Sequence, residues 1–274
     1  MTRRVFLMSA QASLPDLGDV APDLVVPVLE EGEPGAGRRV RVRGADSPEI
    51  YHVLYLPADW RPGRRYPVIV EYAGNGNYRN DYGDISLGVP EGSNLGFGLS
   101  GGVGYLWLCL PYVDPVGRRN QTLWWGSAEA TNQYGRRVIE QVCREYGGDS
   151  KRVLLAGFSR GAIGCSYLGL RDDVTARQWR AFFAYSHFDG VRNWPYADSD
   201  RESALGRLKR LRGRSVFVCH EGSVEATREF LGAGKVEGRF TYEPIRMRNH
   251  NDGWVLRDLP ERRRAREWLR EVMG

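Results

Sequence analysis

Lysine is nearly absent from this sequence: only Lys151, Lys209 and Lys235 stand among its 39 basic residues. Positive charge is therefore carried by arginine, and it is dispersed and interleaved with acids, as in Glu261-Arg-Arg-Arg-Ala-Arg-Glu267. A net charge of +5 spread in this way leaves no concentrated basic face, so no nucleic-acid partner is expected. Cysteine is scarce too. Cys109, Cys143, Cys165 and Cys219 form no Cys-x-x-Cys pair and each falls in an apolar strand or helix pattern. Reduced core thiols are expected, with no zinc or other metal site and no disulfide framework. No apolar run approaches the roughly 18 residues that span a bilayer, and no membrane partner is expected. With only His52, His187, His220 and His250 present, any imidazole chemistry must use one of four residues.

What is present reads as one large core. A chain of 274 residues, 42% of them apolar and 11% aromatic, is long enough for a single α/β domain. Residues 1–45 read as an N-terminal extension, rich in proline and glycine, that holds an edge strand over Leu24 to Leu29; residues 46–274 read as the domain itself. The start, Thr2-Arg3-Arg4-Val5-Phe6-Leu7, resembles a twin-arginine export signal. The apolar stretch behind it ends within a few residues at Gln11 and Pro15, where a signal peptide needs about 7 to 15, so a cytoplasmic location is expected.

Strands and helices then alternate. Arg39-Val-Arg-Val-Arg43 and Ile50 to Leu56 read as a pair of antiparallel edge strands, with His52 a structural residue inside the second. Pro67 to Tyr72 is a continuous apolar strand of the buried parallel kind. From Gly74 to Gly104 no helical period is strong enough to assign, and a loop of that length is usually functional or disordered. Tyr105 to Leu110 is the next strand. Ser127 can cap a helix reaching Tyr146 and stopped by Gly147-Gly148. Strands follow at Trp179 to Tyr185, Ser215 to Cys219 and Arg239 to Glu243. Helices follow at Ser203 to Leu211 and Val224 to Leu231, and a last helical segment from Asp252 to Met273 can be divided by Pro260. The pattern predicts a mostly parallel sheet with helices on both faces, whose ligands bind beyond the carboxyl ends of the strands.

The organising stretch is Arg152-Val-Leu-Leu-Ala-Gly-Phe-Ser159-Arg-Gly-Ala-Ile-Gly164. A short apolar run, Gly-x-Ser-x-Gly, then apolar residues at helical spacing read as strand, sharp turn and helix. A serine at the tip of such a turn crowds the backbone two residues to either side, where Gly157 and Gly161 sit.

Residues from about 50 to 274 resemble the α/β-hydrolase family, and Gly147 to Gly161 is similar to the elbow region of its feruloyl-esterase and polyhydroxybutyrate-depolymerase-like branches. The resemblance implies Ser159 as nucleophile, followed in chain order by an acid and a histidine. It implies His250, in Arg248-Asn-His-Asn-Asp-Gly-Trp254, as the base, because that residue lies between the last strand and the last helix. The acid is expected after the strand Val216 to Cys219, where the sequence departs from the family's usual Gly-x-x-Asp. Glu225 is favoured as Gly222-x-x-Glu, Glu221 is the alternative, and Asp189 is a third choice. The oxyanion hole is expected from the amide of Arg160 and from backbone at Gly74-Asn75-Gly76. Arg160 after the serine is also shared with glucuronoyl esterases, whose elbow reads Gly-Cys-Ser-Arg-x-Gly-Lys, although Phe158, Gly161 and Ala162 break the match. Its guanidinium is thus a candidate for contact with the oxyanion or an acidic substrate, against an ordinary surface ion pair.

Trp124, Trp125 and His187 are candidate substrate-binding residues, since rings on loops at the active edge suit sugars or phenolic acyl groups, as they equally suit covering the core's rim. The expected activity is cleavage of carboxylic esters, carbohydrate-linked or phenolic, through a covalent acyl-enzyme and with no cofactor. A prolyl-oligopeptidase-like peptidase and a non-catalytic binding protein on a hydrolase scaffold are the alternatives.

Overall fold

A computed structural model of the chain describes residues 14–44 and 47–274. The export-like motif at Thr2 to Leu7 lies outside the described residues. Nine strands form one sheet: β1 (Leu29–Glu30), β2 (Arg39–Arg43), β3 (Tyr51–Tyr55), β4 (Tyr66–Tyr72), β5 (Leu106–Leu110), β6 (Gly148–Phe158), β7 (Ala181–Tyr185), β8 (Ser215–Glu221) and β9 (Arg239–Ile245). Their spatial order is β1-β2-β3-β5-β4-β6-β7-β8-β9. Only the β2–β3 and β3–β5 pairs are antiparallel. The expected antiparallel pair is therefore present, but β3 is interior and the two-residue β1, shorter than Leu24 to Leu29, holds the edge.

The sheet is central because its middle strands are apolar on both faces. Every residue of β4 and β5 is buried. Val68 and Val70 of β4 turn to one face, where they join Val138 and Ile139 of helix α2 (Ala128–Glu145) and Ile163 of α3 (Arg160–Tyr167). Ile69 turns to the other, with Leu95 and Leu99 of α1 (Leu95–Ser100) and Trp268 and Leu269 of the C-terminal helix, α7 (Pro260–Met273). Between these come α4 (Asp173–Ala176), α5 (Arg201–Leu208) and α6 (Glu225–Ala233). Ser127 caps α2 as expected, its side chain accepting from the Ala130 amide. The segment after His250 is divided as Pro260 implies, into a 3-10 turn over Asp252–Leu256 and α7.

Helix α1 is the element the sequence conceals. Its residues, Leu-Gly-Phe-Gly-Leu-Ser, have poor helix propensity. The glycines are there for contact: a Cβ on Gly96 would come within 2.1 Å of Trp107, and one on Gly98 within 2.2 Å of Val255. Close packing selects this helix over local preference.

All four cysteines are free, three of them buried and Cys143 partly so. Among the described residues no helix is long and apolar enough to cross a membrane. His52 is buried with Nδ1 2.9 Å from the Tyr134 hydroxyl, in keeping with a structural role.

Two predictions come from this packing. A Cβ on Gly161 would lie 1.9 Å from the Tyr72 carbonyl oxygen, whereas nothing lies within 4 Å of one on Gly206 in α5. Gly161→Ala should destabilise by about 3 kcal/mol or more, while Gly206→Ala should be neutral or stabilising by up to about 1 kcal/mol, read by denaturant melts. Burial depresses the pKa of His52 to about 3, and burial, followed by the charge of His250, does the same to His187. A depressed histidine contributes stability that is complete above its unfolded pKa near 6.5 and is lost as pH falls toward the folded value. The melting temperature should therefore drop between pH 6.5 and pH 4, and His52→Gln should make that drop shallower.

Candidate active site

The strand-to-helix turn after β6 carries Ser159 at φ 53°, ψ −113°, a left-handed conformation that non-glycine residues avoid. The turn is tight enough that a Cβ on Gly157 would fall 2.1 Å from the Gly161 carbonyl, which explains the two flanking glycines. Ser159 makes no capping bond to α3, so its hydroxyl is free to turn the other way. His250 Nε2 lies 3.0 Å from Ser159 Oγ.

The other ring nitrogen of His250, Nδ1, is 2.8 Å from Glu221 Oε1 and 2.9 Å from Ser186 Oγ. A carboxylate at Nδ1 holds the proton there and leaves Nε2 as the acceptor facing the serine. Glu221 ends β8 and is 5% exposed. Burial pushes its carboxyl up, but the hydrogen bond from His250 and the charges of His250 and His220 outweigh it, and the net pKa lies well below the ordinary glutamate value. His220 contributes through Nδ1, 3.0 Å from Glu221 Oε2.

Glu225, the favoured acid, is not in this cluster. Gly222, at φ 72°, turns the chain directly after Glu221, so Glu225 begins α6 on the outside and pairs with Arg228 at 3.7 Å. The strand itself delivers Glu221, whose side chain reaches the histidine. Asp189, the third choice, is buried in a two-bond ion pair with Arg207 at 2.8 and 3.1 Å.

The loop that carries His250 is held by a residue the sequence does not flag. Asp84 Oδ2 accepts the His250 amide at 2.8 Å and the Asn80 side-chain amide at 2.8 Å. Its Oδ1 accepts from Asn249 and Asn251 side chains, both at 3.2 Å. Three consecutive residues of the loop thus converge on one buried carboxylate. The N-terminal segment adds a second restraint: the Leu17 amide donates to Asn249 Oδ1 at 2.7 Å, the Arg248 amide donates to the Pro15 carbonyl at 3.1 Å, and Arg248 pairs with Asp16. Behind the loop, Asp252 accepts from the Asn94 side chain at 2.7 Å, and Glu71 caps α1 by accepting from the Leu95 and Gly96 amides. Burial, reinforced by the charge of Asp252, raises Glu71 to about 7.

The Arg160 side chain does something other than either sequence-based expectation. It is 1% exposed and forms no ion pair among the described residues. Its guanidinium donates to the carbonyls of Trp124 at 2.5 Å, Gly74 at 2.8 Å and Gly88 at 3.3 Å, and lies 3.7 Å from the centroid of the Tyr112 ring. Desolvation lowers its pKa to about 10, partly countered by Tyr112, so it stays charged at neutral pH. It clamps the loops after β4 and β5 together above the turn. Asn75 likewise uses its side chain internally, accepting from the Trp124 amide at 2.7 Å. The Arg160 backbone amide, first in α3, has no acceptor within the helix, as the first amides of any helix do not.

The aromatic candidates separate. Trp125 is buried and stacked on Tyr167 at 4.6 Å, part of the core. Trp124 is half-buried, with φ 47°, and touches Trp194 and Tyr196. His187 stands between the Trp194 ring at 5.0 Å and the His250 ring at 5.3 Å.

No protein-family model matches this sequence, and no curated protein matches it. Solved structures do. An S-formylglutathione hydrolase from Agrobacterium tumefaciens is similar with a TM-score of 0.56 at 10% identity, over 85% of this chain and 94% of that one. Thermogutta terrifontis esterase 2 is similar with a TM-score of 0.55 at 16% identity, over 84% and 90%. Pyrococcus horikoshii acylaminoacyl peptidase gives 0.57 at 14% identity, over 86% of this chain but 41% of its own. The chain spans 63% of a thermostable esterase and 35% of a putative dipeptidyl aminopeptidase IV from Bacteroides ovatus. At these identities the likeness is one of architecture, and together with the mostly parallel nine-stranded sheet it establishes that the chain has the α/β-hydrolase fold.

Proposed function

We propose that this chain is a serine hydrolase that cleaves carboxylic esters through an acyl-enzyme. The observation that carries the reading is the unbroken relay from Glu221 Oε1 to His250 Nδ1 at 2.8 Å and from His250 Nε2 to Ser159 Oγ at 3.0 Å. A serine hydroxyl is a weak nucleophile at neutral pH and needs such a base. Ser159 Oγ attacks the acyl carbon while His250 takes its proton at Nε2, and Glu221 stabilises the imidazolium that results. The carbonyl oxygen becomes an oxyanion, for which the Arg160 amide and the backbone amides of Gly74 and Asn75 are the proposed donors. His250 then protonates the leaving alkoxide, and water, deprotonated by the same ring, hydrolyses the acyl-serine.

Fold similarity to an acylaminoacyl peptidase supports a second reading, cleavage of an amide by the same relay. The ester reading is preferred because the similar S-formylglutathione hydrolase and esterase 2 are matched over 94% and 90% of their own lengths, against 41% for the peptidase.

Ser159→Ala should abolish hydrolysis of p-nitrophenyl acetate; turnover at the wild-type rate would remove the nucleophile from the account. Glu221→Gln should lower kcat by about 100- to 10,000-fold, as loss of the orienting carboxylate does elsewhere, while Glu225→Gln should stay within about twofold of wild type. The reverse ranking would restore Glu225 as the acid. Asp84→Ala should cut kcat by about 10- to 100-fold with little change in KM, because it displaces the base and leaves the binding surface in place. A matched rise in KM, or loss of activity only in step with loss of folding, would make Asp84 purely structural.

A further inference from the structure

We propose that an aromatic-lined groove near Ser159 is a binding subsite for a ring that stacks by one face and bears a carboxylate, carried on the part of the substrate that extends away from the serine. The inference rests on the hydrolase reading above and adds a substrate class to it.

The groove, about 510 Å³, is lined by the rings of Trp124, Trp125, Tyr167 and Tyr196, by Arg171, and by uncharged residues that include Gln121 and Leu123. It is joined to the catalytic residues by contacts between rings. His250 meets His187 at 5.3 Å, His187 meets Trp194 at 5.0 Å, Trp194 meets Trp124 at 5.7 Å, and Trp124 meets Tyr196 at 5.3 Å. This row of touching rings links the His250 side of the site to the groove.

Trp124 lines the groove, and its backbone is held in place from both sides. Its amide donates to Asn75 Oδ1 and its carbonyl accepts from Arg160, so the residue is tied to the loops nearest the nucleophile. Its φ of 47° is strained for a tryptophan, a conformation that persists only where surrounding contacts impose it. Covering a core rim does not require a strained tryptophan. The indole N–H groups of Trp125 and Trp194 are buried without acceptors among the described residues, a further cost that simple packing would avoid.

Charge supplies the rest of the ligand. Arg171 is the one charged residue lining the groove, which has no carboxylate in its wall. Arg171 is exposed, its guanidinium stands 5.8 Å from the Tyr167 ring centroid, and it pairs with no acid among the described residues. Nearby arginines are committed: Arg207 to Asp189, and Arg210 and Arg212 to Asp173. Aromatic walls with a single unpaired guanidinium recognise a ring by its face and an anion by a charge-assisted hydrogen bond. An aromatic acid and a uronate sugar both present that chemistry.

The test is direct binding to the intact protein, followed by tryptophan fluorescence, with 2-naphthoate against 2-naphthylmethanol and glucuronate against glucose. At least one carboxylate should bind about tenfold more tightly than its neutral counterpart, and Arg171→Gln should erase that difference. Trp124→Leu should weaken both members of the pair. Preference for naphthoate identifies an aromatic acid, and preference for glucuronate a uronate sugar. Equal binding of charged and neutral probes, or a preference untouched by Arg171→Gln, overturns the subsite; Arg171 is exposed, so this arm stands even if the tryptophan variant does not fold. Since free acids need no hydrolysis, binding without esterase activity would sink the hydrolase reading and not the groove, and esterase activity without Arg171-dependent binding would do the opposite.

Discussion

The approach of Gly161 to the Tyr72 carbonyl is the constraint on which the rest of the molecule depends. It lets α3 start immediately after β6, directly over the end of β4, and so lifts Ser159 above the sheet in a strained conformation. Everything at the site is measured from that point. Helix α3 begins beside it, and the loops after β4 and β5 fold over the turn. The buried Arg160 guanidinium then joins those loops through three carbonyls and an aromatic face. A buried cation compensated by carbonyls and a ring, with no carboxylate, is a costly device, and its use here marks how firmly the loops must be held.

His250 is held by a separate device. His250 sits on a loop with little secondary structure of its own, and precision there comes from carboxylates around it. Glu221 fixes the ring through Nδ1, while Asp84 fixes the backbone and both flanking asparagines. The N-terminal segment closes over the same loop through Asp16, Pro15 and Leu17. Residues far apart in the chain thereby set one imidazole to within hydrogen-bond reach of the serine.

How much of this was legible in the sequence follows from how local each feature is. The elbow was readable because its glycines, its serine and its flanking strand and helix lie within a few residues of one another. The nearness of His250 to Ser159 is expected from chain order. Of the two glutamates the sequence offers, the less favoured Glu221 is the one that meets His250, because a Gly-x-x-acid spacing is a weak local signal and the geometry that separates Glu221 from Glu225 is the turn at Gly222. Helix α1 was hidden because its glycines serve contact with Trp107 and Val255 at the expense of helix propensity. Asp84 gave no signal: it lies in a long glycine-rich stretch, and its partners at 249 to 251 are more than 160 residues away. Arg160 was read as a surface or substrate residue, since nothing local in a sequence marks a guanidinium that folding will bury.

The central claim is that Ser159 is an activated nucleophile, and covalent trapping tests it most directly. The protein would be treated with a fluorophosphonate, digested with trypsin, and the modified peptide sequenced by mass spectrometry. The account predicts a single adduct on the serine of the peptide Val153 to Arg160, formed at least 100-fold more slowly in Glu221→Gln. An adduct elsewhere, or no adduct from protein that remains folded, would contradict it.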